Sequence, residues 1–77
     1  MQELDETVEA IVLLSGGKPR PYRIRWRNTV YYVTNVLDYY SMKALRLHVF
    51  SLQTKEDDCI EIAVSADDLS CRIRRIS

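Results

Sequence analysis

Residues that break or brace small folds are scarce in this chain. Its 77 residues include two glycines, two prolines, two cysteines, one histidine, one tryptophan and one phenylalanine. Two cysteines are too few for a disulfide scaffold, and with a single histidine they leave a zinc site one ligand short. Nothing local orients His48, so it is expected as an exposed side chain rather than a catalytic base. The one paired-glycine stretch, Ser15-Gly16-Gly17-Lys18-Pro19, resembles a phosphate loop only in part. It lacks the earlier glycine, a Ser or Thr after the lysine and a following helix, so it reads as a turn. Asp57-Asp58 and Asp67-Asp68 read as turn caps, without the spaced ligands and glycine of a calcium loop. No cofactor, metal site or small-molecule substrate is evident.

Long apolar runs are also missing. Ile11–Leu14 is typical, against the roughly 20 residues a membrane span needs. The chain starts acidic, with no basic-then-apolar leader, so a cytoplasmic, non-membrane protein is expected. Net charge is absent too. Eleven basic residues balance eleven acidic ones, so the chain as a whole is not a polyanion binder.

What is present is alternation. Tyr22, Ile24 and Trp26 take strict turns with Arg23, Arg25 and Arg27. A period of two marks a half-buried strand with one apolar and one cationic face. Other segments repeat the pattern. Thr7–Leu14 puts Val8, Ala10, Val12 and Leu14 on one side, and Pro19 and Pro21 delay the second strand to Tyr22. A hairpin about Asn28-Thr29 would pair Trp26 with Tyr31, Arg25 with Tyr32 and Ile24 with Val33. The phase slips near Thr34-Asn35, which predicts a β-bulge, and 37–44 reads as a loop or short helical turn. A fourth strand spans 45–53, with Phe50 and Leu52 out of phase with Leu45, Leu47 and Val49, so its far end reads as covered on both sides. The last two, 59–64 and 69–76, close about Ser65–Asp68, pairing Val64 with Leu69, Ile62 with Cys71 and Glu61 with Arg72. That register buries Cys71, turns Cys59 outward and predicts no bridge between them.

The expected fold is all-β, an antiparallel meander of about six short strands curled into an open barrel or roll. It is one small domain, 1–77, with residues 1–6 as a flexible arm. A chain of this length buries roughly 60–65% of its unfolded surface, so its stability margin is thin.

Residues 24–38 carry Trp26, Arg27, Tyr31, Val33, Val36, Leu37 and Asp38. These resemble a small bacterial family of uncharacterised domains with the pattern Trp-Arg-Gly-Arg-x-Tyr-x-Val-x-x-Val-Leu-Asp. Asn28 stands where that family has glycine, and the insertion many members carry after Val-Leu-Asp is lacking. The resemblance implies a bacterial source. Some members lie near genes for error-prone DNA polymerases, which implies a link to DNA transactions.

Two roles remain. One is a non-catalytic module that binds a protein, or itself, through a strand edge or an apolar patch, using the out-of-phase residues Ile11, Leu13, Phe50 and Leu52. The other is a weak single-stranded nucleic-acid binder. Arg23, Arg25 and Arg27 would stand about 7 Å apart on one strand face, with Tyr32 beside Arg25 to stack on a base and Arg72 and Arg74 as further contacts. The same arginines on an ordinary solvated face, paired to Glu9 or Glu61, need no ligand, and the sequence favours this plainer role. Trp26 is expected in the core.

Overall fold

Arg27 and Asn28 both take positive φ, 51° and 62°. That is the backbone of a tight two-residue hairpin turn, and asparagine tolerates it well. The turn joins β2 (Lys18–Trp26) to β3 (Thr29–Met42). It pairs Trp26 with Thr29, Arg25 with Val30, Ile24 with Tyr31 and Arg23 with Tyr32. The expected hairpin about Asn28-Thr29 is therefore displaced by two residues. An even shift leaves Arg23–Trp26 and their partners on β3 on their expected faces, but Tyr32 now stands opposite Arg23 rather than Arg25. Tyr22, expected on the apolar face with Ile24 and Trp26, is 43% exposed.

The computed structural model describes residues 2–16 and 18–77. The remaining elements are β1 (Gln2–Ser15), a 3-10 turn (Lys43–Leu45), β4 (Leu47–Thr54), β5 (Cys59–Ser65) and β6 (Cys71–Ile76). All neighbours are antiparallel, and β6 returns to β1. The meander is therefore shown, and its curl goes all the way to a closed barrel. Among the described residues no helix is long and apolar enough to cross a membrane.

Closure depends on the residues expected to form an arm. Residues 2–6 belong to β1, where Gln2, Glu3 and Glu6 stand opposite Ile76, Arg75 and Ile73; Met1 lies outside the described residues. Two clasps hold this half of β1. Asp5 accepts a hydrogen bond from Arg72 Nε at 2.6 Å. Glu6 accepts from Trp26 Nε1 at 3.2 Å and from Arg27 at 3.2 and 2.5 Å. The hydrogen bond from Arg72, and then its charge, lowers the pKa of Asp5; the hydrogen bond from Arg27 does the same for Glu6, against a smaller opposing effect of burial. Carboxyls depressed in the fold stabilise it above their ordinary values of 3.8 and 4.5 and lose that contribution as pH falls through the folded values. The melting temperature is thus expected to be flat from pH 8 to about 5 and to fall below about 4.5. In Asp5→Asn/Glu6→Gln a flatter acid limb is expected; an unchanged limb would remove the clasps from the account.

The core is built by inward alternate residues: Val8, Ile24, Trp26, Phe50, Leu52, Ile60, Ile62, Val64, Cys71 and Ile73. Fully burying a side chain such as Leu52 or Ile62 stabilises the fold by about 1.5–3 kcal/mol. Trp26 is a core residue, as expected. Phe50 and Leu52 are core residues as well, so they are not part of an outward patch. Burial, and secondarily Asp68, pushes the Cys71 thiol up to about 11, which keeps it protonated at neutral pH. Cys59 and Cys71 are both free. Buried Thr54 uses its hydroxyl to accept from Asp58 N at 3.1 Å, closing the β4–β5 turn.

Several boundaries differ from expectation for identifiable reasons. β2 begins at Lys18 because its first five residues, 18–22, pair only with β1. On that locally open edge a proline forfeits no ladder bond. The register slips between Ile11 and Val12, with Tyr22 as the extra residue. β3 slips at Thr34, as expected, and again at Leu37. The second bulge restores the phase, so 37–42 continues as strand and only Lys43–Leu45 turns. The β5–β6 connection is longer than expected: Ser65 N donates to Ser70 O at 2.9 Å. Val64 therefore meets Cys71, Ile62 meets Ile73 and Glu61 meets Arg75, not Arg72. Gly16 takes φ 60° in the β1–β2 turn, and Gly17 lies outside the described residues.

Candidate interaction face

Three neighbouring strands present one outer surface. Across β1, β2 and β3 the rows run Ile11–Arg23–Tyr32 and Glu9–Arg25–Val30, with Leu13 opposite Arg20 beyond them. The parity that sends Ile24 and Trp26 inward sends these residues outward. Ile11, Leu13, Val30 and Tyr32 are 43, 51, 43 and 53% exposed. An open depression of about 450 Å³ lies among Glu9, Ala10, Ile11, Arg23, Arg25, Asn28 and Val30.

The arginines of this region are not equivalent. The Arg27 guanidinium lies 4.5 Å from the centre of the Trp26 ring and is ion-paired with Glu6. Arg20 stacks on Tyr22 at 5.2 Å. Arg23 and Arg25 are exposed, and among the described residues neither has an ion pair or a side-chain hydrogen bond. Glu9 is the cross-strand neighbour of Arg25 yet makes no ion pair with it. The expected neutralisation of these two arginines by Glu9 or Glu61 is therefore not what the structure has.

Of the six residues singled out from sequence, Arg23, Arg25 and Tyr32 come together. Arg27 is turned away by the αL backbone of the hairpin and engaged by Glu6. Arg72 and Arg74 lie beyond β1 on β6. Arg72 holds Asp5 and reaches Thr7 Oγ1 at 3.3 Å, and its own pKa is raised by that pairing. Arg74 is 3.9 Å from Glu61. Val30 was missed from sequence, since only the true register puts it beside Arg25. Ile11 and Leu13 were legible as apolar residues out of phase with Val8, Ala10 and Val12.

His48 also departs from expectation. It is half-buried, stacked on Tyr39 with ring centres 5.8 Å apart, and its Nδ1 lies 2.7 Å from the Tyr39 hydroxyl. Tyr39 therefore orients it.

No family model, no curated protein and no solved structure matches the chain.

Proposed function

We propose that this barrel is a non-catalytic interaction module, and that the outer face of β1–β3 docks a protein partner presenting carboxylates beside apolar side chains. One observation carries this reading: Arg23 and Arg25, exposed and, among the described residues, without an acidic partner, stand among exposed Ile11, Leu13, Val30 and Tyr32. Arginine and aromatic anchors within an apolar surround have the composition of binding hot spots. A strand edge is a weaker candidate. The open edge of β2 carries Pro19 and Pro21, and β3 is bulged at Thr34 and Leu37; both devices discourage strand addition. The free thiols of Cys59 and Cys71 support a cytoplasmic setting.

Single-stranded nucleic acid is the second reading, favoured by exposed Tyr32 opposite exposed Arg23. Against it, the aliphatic residues outnumber the single well-placed aromatic, and Glu9 sits inside the face.

A photo-crosslinking residue at position 32 tests the proposal in cells. A discrete protein adduct is expected there and none from the same residue at Glu56, in the β4–β5 turn. Equal adducts from both positions, or adducts only to nucleic acid, would reject the protein-docking face.

A further inference from the structure

The end of the β3–β4 hairpin gathers four groups of one chemistry. Ser41, near the end of β3, and His48, near the start of β4, are cross-strand partners. Lys43 opens the connecting 3-10 turn, and Arg46 closes it in the left-handed conformation, φ 53° and ψ 48°. With Leu47 and Ala66 they line a depression of about 240 Å³. This place lies outside the β1–β3 face, and nothing in the proposed docking role uses it.

Two of the four groups are held in place. Non-glycine residues seldom adopt positive φ, yet three bonds secure Arg46 there. Its N–H donates to Lys43 O at 3.2 Å, its carbonyl accepts from Ala66 N at 2.8 Å, and its Nε donates to Asp67 Oδ1 at 2.6 Å. Only Nε is committed to Asp67, and a guanidinium has five N–H donors. His48 is fixed by the Tyr39 hydroxyl on Nδ1 and by the stacked Tyr39 ring, which leaves Nε2 as its uncommitted nitrogen. Lys43 and the Ser41 hydroxyl add a mobile cation and a neutral donor. Among the residues lining the depression none is acidic; Asp67 is the acid at its border.

We propose that Ser41, Lys43, Arg46 and His48 form a binding site for a doubly charged tetrahedral oxyanion of the sulfate or phosphate-monoester class. Such an ion offers acceptors in several directions. Charge-assisted N–H donors from a fixed arginine and an oriented imidazole meet it with little reorganisation.

Sulfate and O-phospho-L-serine are the probes, titrated separately into the ¹⁵N-labelled full chain at matched ionic strength against chloride. Saturable shifts confined to 41–48 and 66–67 are expected. Lys43→Glu should weaken both probes by at least about tenfold through loss of one charge and gain of its opposite. Asp67→Asn should tighten them by releasing Arg46 Nε, and Lys55→Glu in the β4–β5 turn should change nothing. Dispersed amide signals for Val49 and Ile62 report that each variant is folded. Shifts that follow ionic strength without saturating would overturn the site, as would an undiminished affinity in folded Lys43→Glu. Tighter binding of phosphoserine than sulfate would mark the monoester as the preferred member of the class, and equal binding the bare oxyanion.

Discussion

Val49→Asp is expected to unfold the domain. Val49 is fully buried, yet it does not belong to the cluster that fills the barrel. Phe50 and Leu52 point inward from the same strand, so Val49 lies on the outer side. There it stands in a cross-strand row with Tyr40, Ala63 and Arg72, and Ala63 is buried beside it. β4 is thus covered on both faces. A carboxylate at position 49 is too short to reach water as a lysine would, and leaving a buried charge unpaired costs several kcal/mol. A chain of this size has only about 4–12 kcal/mol of stability in total, from about 0.05–0.15 kcal/mol per residue. The penalty therefore consumes most or all of it. Val49→Ala should cost about 2 kcal/mol, from the lost burial and the cavity left behind. Leu45→Asp should stay within about 0.5 kcal/mol, since Leu45 is 61% exposed. Urea unfolding followed by far-UV circular dichroism orders the three. A cooperative transition for Val49→Asp near that of the parent would show the outer cover to be loose.

That outer cover was legible in the sequence only in part. Alternation reveals which residues share a face, and it put Ile24 and Trp26 in the core and Arg23 and Arg25 outside. Phe50 and Leu52, out of phase with Leu45, Leu47 and Val49, point to cover on both sides of the strand's far end. Alternation alone does not say which side faces the barrel, so they also read as an outward patch. The hairpin register failed by two residues because the positive φ of Arg27 has no strong sequence marker; Asn28 beside it was the available signal. Even register errors preserve faces, which is why the interaction face survived while its cross-strand neighbours changed. The arm failed for another reason. Glu6 and Asp5 look like solvated acids until Arg27 and Arg72, 21 and 67 residues away, are brought against them. The same long-range pairing decided which arginines remained free. Arg27, Arg72 and Arg74 were indistinguishable in sequence from Arg23 and Arg25; the first half of β1 engages Arg27 and Arg72 through Glu6 and Asp5, and Glu61 on β5 faces Arg74.

The pair left over supplies the second large effect. Arg23→Glu/Arg25→Glu is expected to abolish the adduct formed from position 32, by at least about tenfold, while leaving the barrel folded. Neither arginine has an intramolecular ion pair among the described residues, so little native stabilisation is removed. One cost is foreseeable: glutamate at 25 would face Glu9 across the β1–β2 ladder, and like charges so placed destabilise by about 0.2–1 kcal/mol. Arg23→Gln/Arg25→Gln avoids that repulsion and should still weaken the adduct, which separates lost attraction from disturbed folding. The same variants discriminate the nucleic-acid reading. Two phosphate contacts would give single-stranded binding a log–log salt slope of about −1.4, from about −0.7 per contact. For an oligothymidylate in 150 mM salt the expected dissociation constant is no tighter than about 100 μM, the weak end of non-specific binding. A tighter complex with that slope, lost on charge reversal, would move the function of this face from protein to nucleic acid. An adduct that survives both double variants would remove Arg23 and Arg25 from partner binding and leave Ile11, Leu13, Val30 and Tyr32 as its apolar basis.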